Sequence, residues 1–361
     1  MALSRRWFLA SLPAACLGQS GGKGHVLPSA FKRYADPATE NPVLRLTDPS
    51  YSSILPPSSA HSISRHGFLV CASDVSGHYQ AFRLDLKSGQ QKQLTDAADL
   101  DPHSLTLTAD DRGIVYLDSG TLTITNLASL RAREVYKVPA GFEPGRGIGV
   151  SEDGLYAALV ERQDSHHRLQ LVAMAKGTAD TLAEGDEEIS ELIPRPKRAS
   201  LLYRRGAGLW LANYDGKQNY RLRAAEGGIG PALWSPEGRS VYYLSYPEDP
   251  HKLHALREFV PDSNEDSAVA NTSQFVGIGR NADASVFAGA SGSKASPYVL
   301  LLVRAVKREL TLCEHRASDP AMVSPVFAPN SQHVYFGSDR HGKPAIYSIA
   351  VEKLVEETET A

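Results

Sequence analysis

The chain is 361 residues long, 42% hydrophobic and 22% charged, with 38 Lys+Arg against 41 Asp+Glu for a formal charge of −3. That composition supports a large buried core, and a charge balance with no basic stripe excludes a nucleic-acid-binding surface. Three cysteines (Cys16, Cys71 and Cys313) make neither a metal finger nor a disulfide framework, and no apolar run reaches the ~20 residues of a membrane span.

The amino terminus reads as an address. Ser4-Arg5-Arg6-Trp7-Phe8-Leu9 resembles a twin-arginine export signal. The apolar stretch that follows, to Leu17, is interrupted by Pro13 and has the length of a signal's hydrophobic segment. Ala14-Ala15-Cys16 stands where cleavage is expected, and Cys16 is also a candidate lipid anchor, although Pro13 fits a lipobox poorly. Residues 1–20 are therefore expected to be a signal segment, and the mature chain periplasmic or secreted. Cys71 and Cys313 lie in apolar, strand-like contexts and are expected to be buried free thiols. Residues 21–60 form an N-terminal arm whose Val43-Leu44-Arg45-Leu46 segment is predicted to close the last unit of the fold.

From residue 61 one grammar repeats. Val326-Phe327-Ala328-Pro329-Asn330-Ser331 is a strand entering a turn, and Val334 and Phe336 share a face at period two. Asp339-Arg340-His341-Gly342 is a second turn, and Ile346 and Ser348 resume the alternation. The first turn recurs at Thr108-Ala109-Asp110-Asp111, Ser151-Glu152-Asp153-Gly154, Ser235-Pro236-Glu237-Gly238 and, more weakly, Asn281-Ala282-Asp283-Ala284. The second recurs at Ser73-Asp74-Val75-Ser76-Gly77 and Asn213-Tyr214-Asp215-Gly216. Seven units result, at 61–100, 101–140, 144–186, 188–225, 228–270, 272–315 and 321–353, each of roughly forty residues. A four-stranded amphipathic sheet cannot bury both faces alone, whereas sheets packed radially can. The prediction is an all-β, seven-bladed β-propeller over 61–353; six blades would require merging 188–225 with a neighbour. Residues 354–361 are a polar tail, and the acidic stretch from Val351 to Thr360 carries the chain's one helical period.

The Ser-Pro-Glu-Gly and Ser-Asp-Arg-His-Gly-Lys-Pro-Ala-Ile-Tyr turns resemble TolB-type propeller repeats. The order Leu201-Leu202-Tyr203-Arg204-Arg205-Gly206, Leu209-Trp210-Leu211-Ala212-Asn213-Tyr214-Asp215-Gly216 and Trp234-Ser235-Pro236-Glu237-Gly238 resembles the central blades of oligogalacturonate lyases. Arg45-Leu46-Thr47-Asp48, Ala81-Phe82-Arg83-Leu84-Asp85-Leu86-Lys87-Ser88-Gly89 and Gln93-Leu94-Thr95 fit the same family, so the likeness covers nearly the whole mature chain. It implies a seven-bladed propeller that β-eliminates short unsaturated pectin fragments. It also implies manganese, held by three histidines and a glutamine in the central funnel, with a further histidine as base. The metal would neutralise the uronate carboxylate and stabilise the enolate left when the C5 proton departs.

The family's site residues do not carry over intact. The base position falls on Arg204 and Arg205, one ligand position on Pro231, and the Gln-x-x-His-x-His ligand run reads Gln274-Phe275-Val276-Gly277-Ile278-Gly279. Only Gln274 survives, so no tightly bound manganese is expected. Arg204 and Arg205 are candidates for gripping a uronate carboxylate, because a guanidinium presents a planar fork to it; the competing role is a salt-bridged blade edge. With Gln274 they form the candidate substrate-binding set. No residue has a firm catalytic assignment, and Arg204, Arg205 and His103, at the start of a blade, are the candidates.

The remaining histidines and basic residues read blandly. His166-His167 is a polar hairpin tip, His251 and His254 lie in a solvated Pro-rich loop, His315 ends an outer strand at the surface, and His61 and His66 have no evident partner. Arg195, Lys197 and Arg198 form a solvated turn with Pro194 and Pro196. Gly145-Arg146-Gly147-Ile148-Gly149 starts a blade and is no phosphate loop, and no nucleophile elbow is present. Two functions follow. One is an exported propeller of the lyase family that acts on or binds unsaturated oligogalacturonides, its elimination chemistry weak or lost. The other is a non-catalytic TolB-like propeller that binds an envelope protein.

Overall fold

The computed structural model describes residues 21–249 and 251–351, so the signal segment with Cys16, Pro250 and the C-terminal tail lie outside the described residues. Seven antiparallel sheets succeed one another along the chain, which is the predicted propeller. The only helical element among the described residues is a 3-10 turn at Pro320–Val323.

The turn between the first and second strands of each blade shows why the sequence folds this way. Ser235 is the clearest case. Its carbonyl accepts the Gly238 amide at 2.9 Å, while its Oγ accepts the amides of Arg239 at 3.0 Å and Ser240 at 3.1 Å. Thr108, Ser151 and Asn281 do the same with the amides of Gly113, Tyr156 and Val286. A residue in the left-handed region completes each turn: Gly67, Gly154 and Gly238 in three blades, and Asp111, Lys197, Ala284 and Ser331 in the other four. A short polar side chain that replaces a backbone partner, followed by one left-handed residue, is the physical content of the repeat.

The apolar side chains collect into seven clusters, each spanning two neighbouring blades. Leu233, Tyr242 and Leu256 of the fifth blade meet Phe287, Leu300 and Leu302 of the sixth. Leu46, Tyr335 and Ile346 meet Leu69, Cys71 and Phe82 across the ring closure. The core is therefore a ring of interfaces. Cys71 and Cys313 are both buried and unpaired within it, and burial pushes the Cys71 thiol up to about 12.

The arm residues close that ring from two sides. Pro42–Arg45 pairs with Ala345–Ala350, and Lys32–Ala35 pairs outside it, which makes the seventh blade five-stranded. Val26–Leu27 is added to the outer edge of the first blade, on Gln91–Gln93. That blade starts earlier than the repeat indicates, because its inner strand includes Ser53–Ile54.

Candidate functional site

The inner strands of blades 4, 5 and 6 are Ile189–Pro194, Gly228–Trp234 and Phe275–Arg280. All three lose register near their first residues: between Ser190 and Ile193, between Ile229 and Ala232, and between Phe275 and Gly277. Bulges re-aim side chains and cluster beside binding sites. Three adjacent ones at one level mark the end of the channel where these strands begin. Pro231 lies within the second bulge and Gly277 directly after the third, so two positions expected from the resemblance to be ligand positions sit at bulged backbone.

Arg204 is the most highly connected group at this mouth. Its Nε and Nη2 make a two-point pair with Glu191, both at 2.9 Å. Nη2 also donates to the Gly230 carbonyl at 2.7 Å, and Nη1 to the Ile229 carbonyl at 3.1 Å. The guanidinium thus bolts blade 4 onto the bulge of blade 5. Glu191 adopts φ 50° to reach it, a left-handed backbone that a non-glycine residue adopts at a cost of about 1–2 kcal/mol. Arg205, one residue on, faces the opposite side of the blade. Its Nε donates to Glu187 at 2.9 Å and its guanidinium lies 5.3 Å over the Trp210 ring. Glu187 is 62% exposed, whereas the Arg205 side chain is 22% exposed.

Tyr246 completes the mouth. A Cβ built on Gly230 would stand 2.3 Å from its hydroxyl, so the phenol occupies the space that a side chain there would need. Its ring lies 4.4 Å from that of His254. Burial pushes the phenol up to about 12, with Arg204 pulling it down and Glu191 pushing it up.

The other candidates lie on the same rim but do not converge. Gln274 is exposed at the start of blade 6 with φ 55°, and His103 is exposed in the linker into blade 2, its amide bonded to Asp101 at 2.9 Å. No hydrogen bond or ion pair joins His103, Arg204 and Gln274.

The donor set does not fit a manganese ion at the family position. Pro231 offers no ligand, and one amide oxygen from Gln274 cannot hold a divalent cation. At Gly279 a Cβ would lie 2.1 Å from the Pro325 carbonyl oxygen, so the backbones of blades 6 and 7 exclude any side chain. At Gly277 a Cβ would meet nothing nearer than Pro325 Cδ at 3.4 Å, so that position alone has room. Among the described residues no three His, Cys, Asp or Glu side chains converge as a metal site.

Several bland readings are corrected. His315 is not at the surface. It is fully buried, its Nδ1 accepts the Ala317 amide at 3.0 Å and its Nε2 therefore donates to the Ser291 carbonyl at 3.0 Å. His254 is not in a solvated loop but opens the third strand of blade 5, half-buried against Tyr246. His61 has a partner, Asp111, at 3.3 Å. Arg195 is buried at 6% and bridges the Gly238 carbonyl at 2.6 Å and Asp262 at 3.2 Å. Glu191, Glu187 and Tyr246 escaped the sequence reading. The signals were local: apolar Ile189, Leu192 and Ile193 break alternation around Ser190-Glu191, and Gly230-Pro231 interrupts a strand.

The architecture defines a closed seven-bladed propeller with an arginine- and tyrosine-lined mouth where three inner strands bulge. Two relatives and two solved structures match nearly the whole length. An oligogalacturonide lyase of Pectobacterium atrosepticum is 23% identical over 386 aligned positions, which cover 92% of this chain and 99% of that protein. An oligogalacturonate lyase of Dickeya dadantii is 24% identical with the same coverage. A solved oligogalacturonate lyase in complex with manganese superposes with a TM-score of 0.86 at 22% identity, covering 91% of this chain and 98% of that one. The Vibrio parahaemolyticus oligogalacturonate lyase superposes with a TM-score of 0.85 at 22% identity, covering 91% and 99%. No family profile matches the chain. The chain is similar to oligogalacturonate lyases over nearly its whole length.

Proposed function

We propose that this protein is an exported member of the family that binds unsaturated oligogalacturonides at the bulged mouth, using arginine where its relatives use a metal. The carrying observation is the replacement of the ligand set. Where the family resemblance puts imidazoles, this chain has Arg204 and Arg205, Pro231, and two glycines, one of them sterically closed. Manganese-dependent elimination is lost with those ligands, and recognition of the uronate carboxylate passes to the guanidinium groups.

The two arginines are not equal in this. Arg204 already directs four N–H bonds at Glu191, Ile229 and Gly230 and holds the mouth in shape. Arg205 is paired with a well-exposed carboxylate, and such pairs contribute about 0–1 kcal/mol. A substrate carboxylate can displace Glu187 from it at little cost. A charge-assisted fork contributes about 1.5–3 kcal/mol. Calorimetry with unsaturated digalacturonate should therefore show Arg205→Ala binding roughly ten- to a hundredfold more weakly than the unaltered protein. Equal binding by the unaltered protein, Arg204→Ala and Arg205→Ala would remove the arginines from recognition. Absence of binding in all three would favour a propeller that docks another protein.

A further inference from the structure

The opposite end of the channel holds a cavity of about 440 Å³, walled by the residues where the inner strands end. Arg280, the last residue of the blade 6 inner strand, lines it. Its Nε donates to the Trp234 carbonyl at 2.7 Å and its Nη1 to the Asn281 carbonyl at 3.1 Å. No carboxylate pairs with it among the described residues. Arg65 lines the same cavity, is exposed, and also has no carboxylate partner there. Against these two positive charges the walls offer one carboxylate, Glu152, which is already engaged by the Lys197 amide at 3.1 Å. Asp111, 3.3 Å from His61 in the wall, is already engaged as well, since its Oδ2 accepts the Ser64 hydroxyl at 2.7 Å and the Arg65 amide at 3.1 Å.

A half-buried guanidinium without a counter-ion is costly, because desolvation is not repaid by a partner charge. Burial accordingly lowers the Arg280 affinity for its proton. Other half-buried arginines pair with carboxylates. Arg204, Arg205, Arg257 and Arg340 each have a carboxylate within 3.6 Å. Among the described residues Arg45 and Arg83 also lack a carboxylate partner, but Arg83 lies over the Phe68 ring at 4.2 Å, and neither of them lines this cavity, as Arg280 does. The walls also combine the hydroxyls of Ser58 and Ser59 with the apolar surfaces of Phe327 and Pro329 and an edge of Trp234. Hydroxyl partners beside apolar faces suit a sugar ring, and the volume is that of a small-ligand pocket.

We infer that this cavity is a second ligand site, for a single carboxylated sugar ring whose carboxylate pairs with Arg280 and Arg65. It lies at the opposite end of the channel from the Arg204 mouth and does not depend on the reading given to that mouth. Trp234 and Trp210 report the two ends separately, since Trp234 lines this cavity and Trp210 lies beneath Arg205. The test is fluorine NMR of the protein labelled with 5-fluorotryptophan, titrated with D-galacturonate, with glucose and with inorganic phosphate. Galacturonate should shift the Trp234 resonance saturably and glucose should not. Arg280→Ala and Arg65→Glu should each weaken that shift at least tenfold, and Arg204→Gln should leave it intact. Arg65→Glu carries the test if Arg280→Ala does not fold, because the Arg65 side chain is exposed. A Trp234 resonance that galacturonate does not move, or moves equally in Arg65→Glu, would overturn the site. Phosphate binding as tightly as galacturonate would overturn the sugar ring as its ligand.

Discussion

Gly279 and Gly277 are two residues apart and meet opposite constraints. A Cβ at Gly279 collides with the Pro325 carbonyl oxygen, whereas one at Gly277 reaches only van der Waals distance. Gly279→Ala should therefore lower the melting temperature by several degrees, as overpacking costs about 1–3 kcal/mol, while Gly277→Ala should melt within a degree or two of the unaltered protein. Equal melting temperatures would show that the two blades part easily at Gly279. His315 supplies a second prediction at this scale. Its burial disfavours the imidazolium, with the Ser291 carbonyl opposing and the Arg340 charge adding to that effect. The unfolded chain then binds a proton that the folded chain refuses, so stability falls as pH drops below the ordinary histidine value of about 6.5. His61 and His341, also shifted down by burial, act in the same direction. Denaturant titrations from pH 8 to pH 5 should show His315→Ala less stable at pH 8 but with a shallower acid decline. An identical slope would assign the decline to other groups. The sequence shows the residue types at these positions but not their contacts. His315 read as a surface residue because strand-end position says nothing about Ser291, Ala317 and Ser338, which close around it. Arg195 read as solvated because Asp262, its partner, is 67 residues away.

At the scale of elements, the repeated turn was legible in five of the seven blades, because it is built within five residues from a capping side chain and one left-handed position. The inner-strand bulges were not. A bulge shows only as a break in alternation, and the strands that contain them are six or seven residues long. Closure is the element-scale property most open to test. The arm contributes two strands to blade 7 and one to blade 1, and Leu46 is buried in the cluster that joins those blades. Deleting residues 21–46 from the mature chain should leave unpaired edges on both blades. Thermal unfolding, followed by far-UV circular dichroism, should then lose its single cooperative transition, and the protein should associate in sedimentation experiments. A truncated chain that stays monomeric and melts as one transition would show that the interface closes the ring without its extra strands.

At the scale of the molecule, a ring of seven similar interfaces leaves its two channel ends free to differ. One end carries three bulged inner strands, with arginine, glutamate and tyrosine side chains around them. The other gathers guanidinium groups around a cavity of about 440 Å³. The repeat that fixed the fold could be read from sequence because blade after blade writes it again. Neither end could, since each is assembled from single residues of blades separated by roughly forty positions. The central claim is that an acidic sugar is held at the bulged mouth by arginine without manganese. The most direct measurement is calorimetry of unsaturated digalacturonate with protein stripped by a chelator, repeated after adding manganese. The account predicts the same affinity in both conditions, and no growth in the absorbance of unsaturated product when manganese is present. Binding or elimination that appears only with one equivalent of manganese would contradict it.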